Sequence, residues 1–493
     1  MSESSLRSGL EFVRAKKWLV MAISLALLVP CVWHRRIEAG DLGSHVYNAW
    51  LAQLIEKGQA PGLYLSKQWN NVLFDLMLVK MGNWFGLAAA EKIAVYICVL
   101  VFFWGAFALV CAVTERVPWF LLPCFGMLAY GWTFSVGFFN YYISLGLGFF
   151  AIAMVWRGRG REWIIAALLG LAAWVAHPQG FVWMAGCVAY LTLWRRLEGW
   201  LKLLLPIAAA IAIVAVRIYV ARHYESYTVW DSFGPGIYGG SDQLALYNAR
   251  FQVLSNVALV FGLICFATEV ARRLRAKESW SGVRLPLELY GVAVVAVYVL
   301  PDSVRMPMYA GWIGLAALRL TTVAAVMGLC VMGFVRPRKW FGWGFAAIGM
   351  AYFVLLYGAT GELNRMEQRV EQLVSELPYG ERVAATIWTP GDSRLPFIVH
   401  MVDRACVERC FSYGNYEPPS GEFRVRVRGD NPQVTDDADA AEEMESGEYV
   451  VRPEDLPMAQ IYQCDENDFT KLCVRQLAAG EKNGRLGYHP PKE

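Results

Sequence analysis

The sequence predicts an all-α polytopic membrane protein of about eleven transmembrane helices, with two juxtamembrane helices in its first external loop and a small α/β external domain at the C-terminus. Three observations carry that reading. Of the 493 residues, 56% are hydrophobic and 18% charged, against roughly 45–50% and 25% in soluble domains. The apolar residues gather in runs close to the length that a bilayer requires. The basic residues fall in clusters between those runs, and every cluster lands on one side of the proposed membrane. The net charge of +3 is too small to point to nucleic acid as a partner.

The apolar runs lie at 17–33, 91–113, 119–134, 138–156, 163–176, 179–194, 201–220, 251–270, 285–300, 311–334 and 340–358. The first follows Arg14, Lys16 and Lys17, and no small-residue cleavage site succeeds it, so a retained anchor is expected. Arg116, "RGRGR" (157–161), "WRRLEGWLK" (194–202), "ARRLRAK" (271–277) and "RPRK" (336–339) then mark the cytoplasmic side. The opposite side receives residues 34–90, the loop from Arg222 to Arg250, "PDSVRMPMYAG" and everything after about 360. An integral protein of a bacterial inner membrane is expected, with its N-terminus cytoplasmic and its C-terminal domain periplasmic.

Residues 71–90, "NVLFDLMLVKMGNWFGLAAA", could be mistaken for a further span. Crossing there would put Arg116 and "RGRGR" outside, and Asp75 and Lys80 interrupt the run. An amphipathic helix in the interface plane is expected instead, with a second one at 45–58. The division into domains is 1–360 for the membrane part and 361–493 for the external part. In the latter, "GERVAATIW" and "FRVRVRG" read as strands, "EQRVEQLVSEL" as a helix and "TDDADAAEEMESGEY" as a solvated acidic segment.

Seven of the eleven cysteines lie in or beside apolar runs and are expected to be free thiols. Cys406, Cys410, Cys464 and Cys473 lack the short spacing of zinc ligands, and disulfides in an oxidising compartment are expected. Pairing 406–410 and 464–473 is favoured by proximity, with "CDENDFTKLC" suiting a strand-turn-strand, although four cysteines allow three connectivities.

The candidate site residues cluster at the external ends of the spans. Asp41 and His45 are one helical turn apart, so a helix starting there would face both the same way. Asp41 either caps that helix or acts in catalysis, and Glu38 stands one turn earlier, with Asn48 beyond. His177 in "WVAHPQGF", next to Gln179, either satisfies a helix end or belongs to a site, the default for ionisable groups at membrane depth. Asp231, in an aromatic and Gly-rich loop with Tyr224, Tyr227, Trp230 and Tyr238, fits a lid or an interfacial belt. Asp302 and Arg305 form either a turn-capping pair or a phosphate contact, for which guanidinium geometry is well suited.

This arrangement resembles the GT-C superfamily of membrane glycosyltransferases, which take sugars from polyprenyl-phosphate carriers. "GDLGSHVYNAWLAQLIEKGQAPGLYL" is similar to the first external loop of bacterial members, and "FSVGFFNYYISLGLG" and "AHPQGF" look like their later spans. The resemblance covers roughly residues 17–360 in architecture. The family's paired acids, adjacent or one residue apart, are represented here only by Glu38 and Asp41, three apart.

The resemblance implies inverting sugar transfer from a polyprenyl-phosphate donor to a glycan, lipid or protein acceptor on the external face. Asp41 would be the base, with His45 orienting it or touching phosphate. His177 and Arg305 would serve the phosphate side, and Glu38, Asn48, Gln179, Asp231 and Asp302 would line the substrate site. The cofactor is unknown: a divalent metal is an open question, with Asp41 and His45 as its candidate ligands. The alternatives are a transporter or flippase for a lipid-linked or polar substrate, and a non-catalytic protein of the same architecture.

Overall fold

The computed structural model describes residues 14–158, 160–228, 238–390, 393–429, 431–465 and 467–484. It is 64% helical. Among the described residues, seven helices are long and apolar enough to cross a membrane: Leu87–Thr114, Trp119–Val136, Phe139–Arg157, Leu201–His223, Ala249–Ala276, Ser281–Val299 and Lys339–Glu376. Two shorter apolar helices, Lys17–Cys31 and Ala316–Met332, accompany them. Helices Arg161–Ala176 and Pro178–Arg196 occupy the two remaining apolar runs.

The exposed faces fit a lipid solvent better than water. Helix Leu201–His223 has no buried residue, although its hydropathy averages 2.4 over the best window. An apolar surface of that extent would be a liability in water and is ordinary in hydrocarbon. Several such helices have the length and composition of membrane spans.

The stretch at 119–136 is a broken helix, and the break builds the site. A 3₁₀ turn at Trp119–Leu121 leads into Leu122–Ala129, and Trp132–Val136 follows after Tyr130 and Gly131. Side chains satisfy the freed carbonyls: Tyr142 Oη donates to Ala129 O at 2.8 Å and Tyr352 Oη to Tyr130 O at 2.5 Å. Backbone N–H groups of Gly40 and Asp41 then donate to Ser135 O and Val136 O at 2.9 and 2.7 Å. Two glycines allow that approach. A Cβ on Gly40 would sit 2.6 Å from Val136 O, and one on Gly137 (φ +97°) would sit 2.5 Å from Asp41 N.

The segment expected to form the first external loop differs from expectation in two ways. The 71–90 segment divides at Gly86 (φ +79°), so a helix Leu73–Phe85 ends there and the next span begins at Leu87, four residues earlier than the run at 91 implied. The 45–58 helix, observed as Leu42–Glu56, does not leave one face free as an interfacial helix would. Every residue from Leu42 to Gln53 is buried, because the C-terminal part covers it. Trp50 stacks on Phe411 at 5.6 Å and Tyr47 Oη accepts from Ser412 N at 2.9 Å.

The C-terminal part holds a four-stranded sheet in the order Phe411–Ser412, Arg382–Thr386, Met458–Gln463, Leu472–Gln476. The first three strands run parallel and the last is antiparallel. The strand expected in "FRVRVRG" forms at Val425–Val427, but it pairs with Leu63–Leu65 of the first external loop rather than with this sheet. The acidic segment is partly ordered, as a helix Ala438–Ser446 that buries Ala440, Ala441 and Met444. Helix Lys339–Glu376 passes unbroken through residue 360, so "EQRVEQLVSEL" continues a membrane helix. Its 38 residues span about 57 Å.

Disulfides join Cys406 to Cys410 and Cys464 to Cys473, the local pairing, and the second closes the 458–476 hairpin. The other seven cysteines are free.

Candidate active site

A cavity of about 590 Å³ opens among the ends of the spans, and Asp41, His45, His177, Gln179 and Arg319 line it together with Tyr416 and Glu422 from the C-terminal part. Val216, Val220 and Leu300 of the apolar helices form another wall. Asp41 occupies the N-cap position of Leu42–Glu56, yet its side chain makes no capping hydrogen bond. The carboxylate is therefore not consumed by the helix, and it stays 21% exposed in the cavity.

His45 lines the same cavity but does not orient Asp41. Its Nδ1 lies 2.7 Å from Asp75 Oδ1, and Asn140 Nδ2 donates to the other Asp75 oxygen at 2.8 Å. The imidazole closest to Asp41 comes from the C-terminal part: His400 Nε2 is 3.6 Å from Asp41 Oδ1, while its Nδ1 is 2.8 Å from Asp403 Oδ2.

Charge explains the state of both rings. Burial disfavours the imidazolium of His45, but Asp75, with Glu417 and Asp41 behind it, outweighs that and lifts the ring to about 9. Burial likewise opposes charge on His400, and Asp403, Asp41 and Glu445 raise it to about 9. Burial pushes the carboxyls of Glu417 and Glu422 up to about 7, against the pull of His45 on the first and Arg319 on the second.

These shifts share one sign. The histidines hold protons more tightly folded than at their ordinary 6.5, so their stabilisation is complete below 6.5 and is lost as pH rises through about 9. The two raised carboxyls disfavour ionisation, so they add to the same fall between 4.5 and about 7. Thermal unfolding measured across this range should show stability declining with pH, and His400→Gln should flatten the decline above 6.5. A wild-type unfolding temperature that is flat from 6.5 to 9 would contradict these ring environments.

The same cavity holds a set of donors. His177 caps helix Pro178–Arg196, its Nδ1 accepting from Gln179 N at 3.1 Å. In the neutral ring that acceptor role assigns the proton to Nε2. Nε2 lies 3.5 Å from Arg319 Nη1, so two N–H donors face the same space. Arg319 packs its guanidinium 4.0 Å above the Phe138 ring, and its Nε has no partner among the described residues. Gln179 Nε2 is already engaged, donating to Ala316 O at 2.6 Å. An oxyanion between His177 and Arg319 would satisfy both donors.

The remaining expected residues lie elsewhere. Glu38 turns away from the cavity into a buried ion cluster, 3.5 Å from Arg404 Nη2, and accepts from Asn364 Nδ2 at 2.7 Å. Asn48 is buried and donates to Ser44 O at 3.0 Å and to Asn415 at 3.4 Å. Asp302 is buried at the start of helix Ala316–Met332, accepting from Leu318 N at 3.2 Å and, through its carbonyl, from Ala316 N at 2.7 Å. It thus holds the turn that carries Arg319 and makes no pair with Arg305. Arg305, exposed on strand Ser303–Arg305, alternates out of the cavity while Val304 and Met306 line it. Asp231 and Trp230 lie outside the described residues.

Arg319, His400, Asp75, Asn140 and Glu422 were not anticipated. Arg319 did carry a signal, a charge near the start of the apolar run 311–334, which is a functional pointer by itself. His400 and Glu422 carried none. As for a metal, Asp41 and His45 do not form a donor set: their carboxylate and imidazole have different partners. No group of three His, Cys, Asp or Glu among the described residues could hold an ion. Comparison of the chain with protein-family models, with curated proteins and with solved structures finds no match.

Proposed function

We propose that this protein is a membrane glycosyltransferase of the GT-C kind, moving a sugar from a polyprenyl-phosphate donor to an acceptor hydroxyl on the external face of a bacterial inner membrane. In this reading eleven helices cross the bilayer, the N-terminus is cytoplasmic, and the C-terminal part is periplasmic, where its disulfides would persist. The observation that carries the proposal is one cavity lined by a carboxylate free of its helix cap, by a guanidinium whose Nε has no partner among the described residues, and by residues of exposed apolar helices.

The chemistry follows from those groups. The acceptor oxygen attacks the anomeric carbon, and its proton passes to Asp41 as the new C–O bond forms. The bond from the anomeric carbon to the phosphate oxygen breaks on the opposite face, which inverts the configuration. The electron pair leaves with the phosphate, whose charge Arg319 and His177 Nε2–H stabilise. His400, 3.6 Å from Asp41, and His45, which lines the same cavity, place positive charge beside the carboxylate when their rings are protonated. The side walls of Val216, Val220 and Leu300 suit the first isoprene units of the carrier.

Donor binding tests the phosphate assignment. Replacing Arg319 with Gln should weaken affinity for a polyprenyl-phosphate sugar by roughly tenfold or more, the worth of a charge-assisted hydrogen bond. Arg305→Gln should leave it within about twofold. Calorimetry or a spin-column assay in detergent would read both. A larger loss from Arg305→Gln would return the phosphate to the rim and refute the pairing of Arg319 with His177.

A further inference from the structure

We infer that a second cavity, of about 400 Å³ and bounded by His34, Arg35, Arg36, Tyr357, Arg365 and Glu371, binds the phosphate headgroup of an anionic phospholipid. It shares no lining residue with the Asp41 cavity, so the inference stands apart from the transferase reading.

Its place in the fold is the first argument. One wall is the end of the apolar helix Lys17–Cys31, where the chain turns at Trp33 and His34. The other is the point at which helix Lys339–Glu376 changes character. Up to Tyr357 its outer face is exposed and apolar, with Met350 and Val354 bare, and beyond it come Glu362, Arg365, Gln368 and Arg369. Trp33 meets Tyr357 edge-on at 5.4 Å, an aromatic pair of the kind found at headgroup level. The cavity therefore sits at the boundary between hydrocarbon and water.

Charge is the second argument. Three guanidiniums face one carboxylate. Glu371 pairs with Arg35 at 2.9 Å and with Arg36 at 2.7 Å, which fixes those two side chains without neutralising the set. No hydrogen bond or ion pair engages Arg365 among the described residues, although it lines the same cavity. His34 is held as well, its ring stacked on Tyr357 at 4.7 Å and its Nε2 3.0 Å from Tyr357 O. A phosphodiester is the anion that a splayed set of arginines recognises best.

The exposed apolar flanks decide between a lipid and a free anion. Val29 and Val32 lie bare on the first helix beneath the arginines, and Val354 lies bare on the other. Acyl chains hanging from a headgroup in the cavity would run along both faces, whereas inorganic phosphate would have no use for them. The lipid would also brace the approach to Asp41. Asn364 in the cavity wall exchanges hydrogen bonds with Arg36, through its N–H at 2.9 Å and its carbonyl at 3.1 Å, and donates to Glu38 at 2.7 Å.

Native mass spectrometry of the purified full-length protein tests this, with phosphatidylglycerol and phosphatidylcholine of the same acyl chains as probes. The wild type should retain phosphatidylglycerol roughly tenfold better. Arg365→Gln, which has no partner to lose, should cut that preference about fivefold, and Arg35→Gln with Arg365→Gln should remove it. Millimolar inorganic phosphate should not displace the lipid. Equal retention of the two lipids by the wild type would overturn the inference. So would an undiminished preference in Arg365→Gln, or displacement by inorganic phosphate, which would make this a free-anion site.

Discussion

Asp41→Asn is expected to fold normally and to lose roughly 10²–10⁴-fold in turnover, the range set by removal of a positioned general base. The amide keeps the shape of the carboxylate, and no helix cap is lost because Asp41 does not make one. The nearest polar contact that changes is the one to His400 Nε2 at 3.6 Å. What disappears is the ability to accept a proton, which matters only as the acceptor oxygen attacks. The loss should therefore fall on kcat, with KM for the donor little changed, since Arg319 and His177 remain to hold the phosphate. Removing the Asp41 charge also takes away one of the anions that raise His45 and His400, so both rings should titrate at lower pH in the variant. Steady-state kinetics and thermal unfolding on the same preparation would separate lost chemistry from lost fold.

Arg404→Leu should have the largest effect on stability. Arg404 extends from helix Met401–Cys406 of the C-terminal part into a pocket of three carboxylates. Its Nε donates to Glu367 at 2.6 Å, Nη1 donates to Glu91 at 2.9 Å and to Ile37 O at 3.0 Å, and Nη2 faces Glu38 at 3.5 Å. None of the three carboxylates has a side chain more than 3% exposed. Burial raises the Glu38 carboxyl well above its ordinary range and the Glu367 charge adds to this, against the pull of Arg404. Removing the guanidinium leaves buried acids without a counter-ion, which typically costs about 3–5 kcal/mol. Glu91 and Glu367 belong to the helices Leu87–Thr114 and Lys339–Glu376, so the same change should loosen the C-terminal part from the membrane helices. Glu38→Gln, which keeps an acceptor for Asn364 and removes one of three acids around a single guanidinium, should cost about 1 kcal/mol or less. Thermal unfolding together with protease accessibility of the 377–484 region would read both, and an Arg404→Leu protein as stable as the wild type would contradict the role given to this cluster.

The helices were legible because lipid-facing and buried positions alike are apolar, so each run announces itself whatever its neighbours are. His177 and Asp41 were legible for a related reason: an ionisable group at the end of a span is conspicuous. The spacing of Glu38 and Asp41 misled. Three residues apart puts two side chains on one face only within a helix, and the helix here begins at Leu42. Glu38 lies before that helix and turns instead to Arg404. His45 misled similarly, since one helical turn places it beside Asp41 but cannot reveal that Asp75 competes for its ring. His400, more than three hundred residues away, reaches Asp41 only because strand Val425–Val427 and helix Met401–Cys406 dock on the first external loop. Nothing in periodicity or composition encodes that docking, and the same blindness made helix Leu42–Glu56 look like a surface element.

The central claim is that a sugar leaves a polyprenyl phosphate in the cavity lined by Asp41, His177 and Arg319. The direct test incubates the purified wild-type protein in lipid nanodiscs with a panel of radiolabelled polyprenyl-phosphate sugars and membrane extract as the source of acceptor, beside Asp41→Asn. The account predicts a labelled product from at least one donor, with the sugar inverted at its anomeric carbon, and formation of that product roughly 10²–10⁴-fold slower in the variant. Full transfer by Asp41→Asn, or no transfer by the wild type from any donor in the panel, would contradict it.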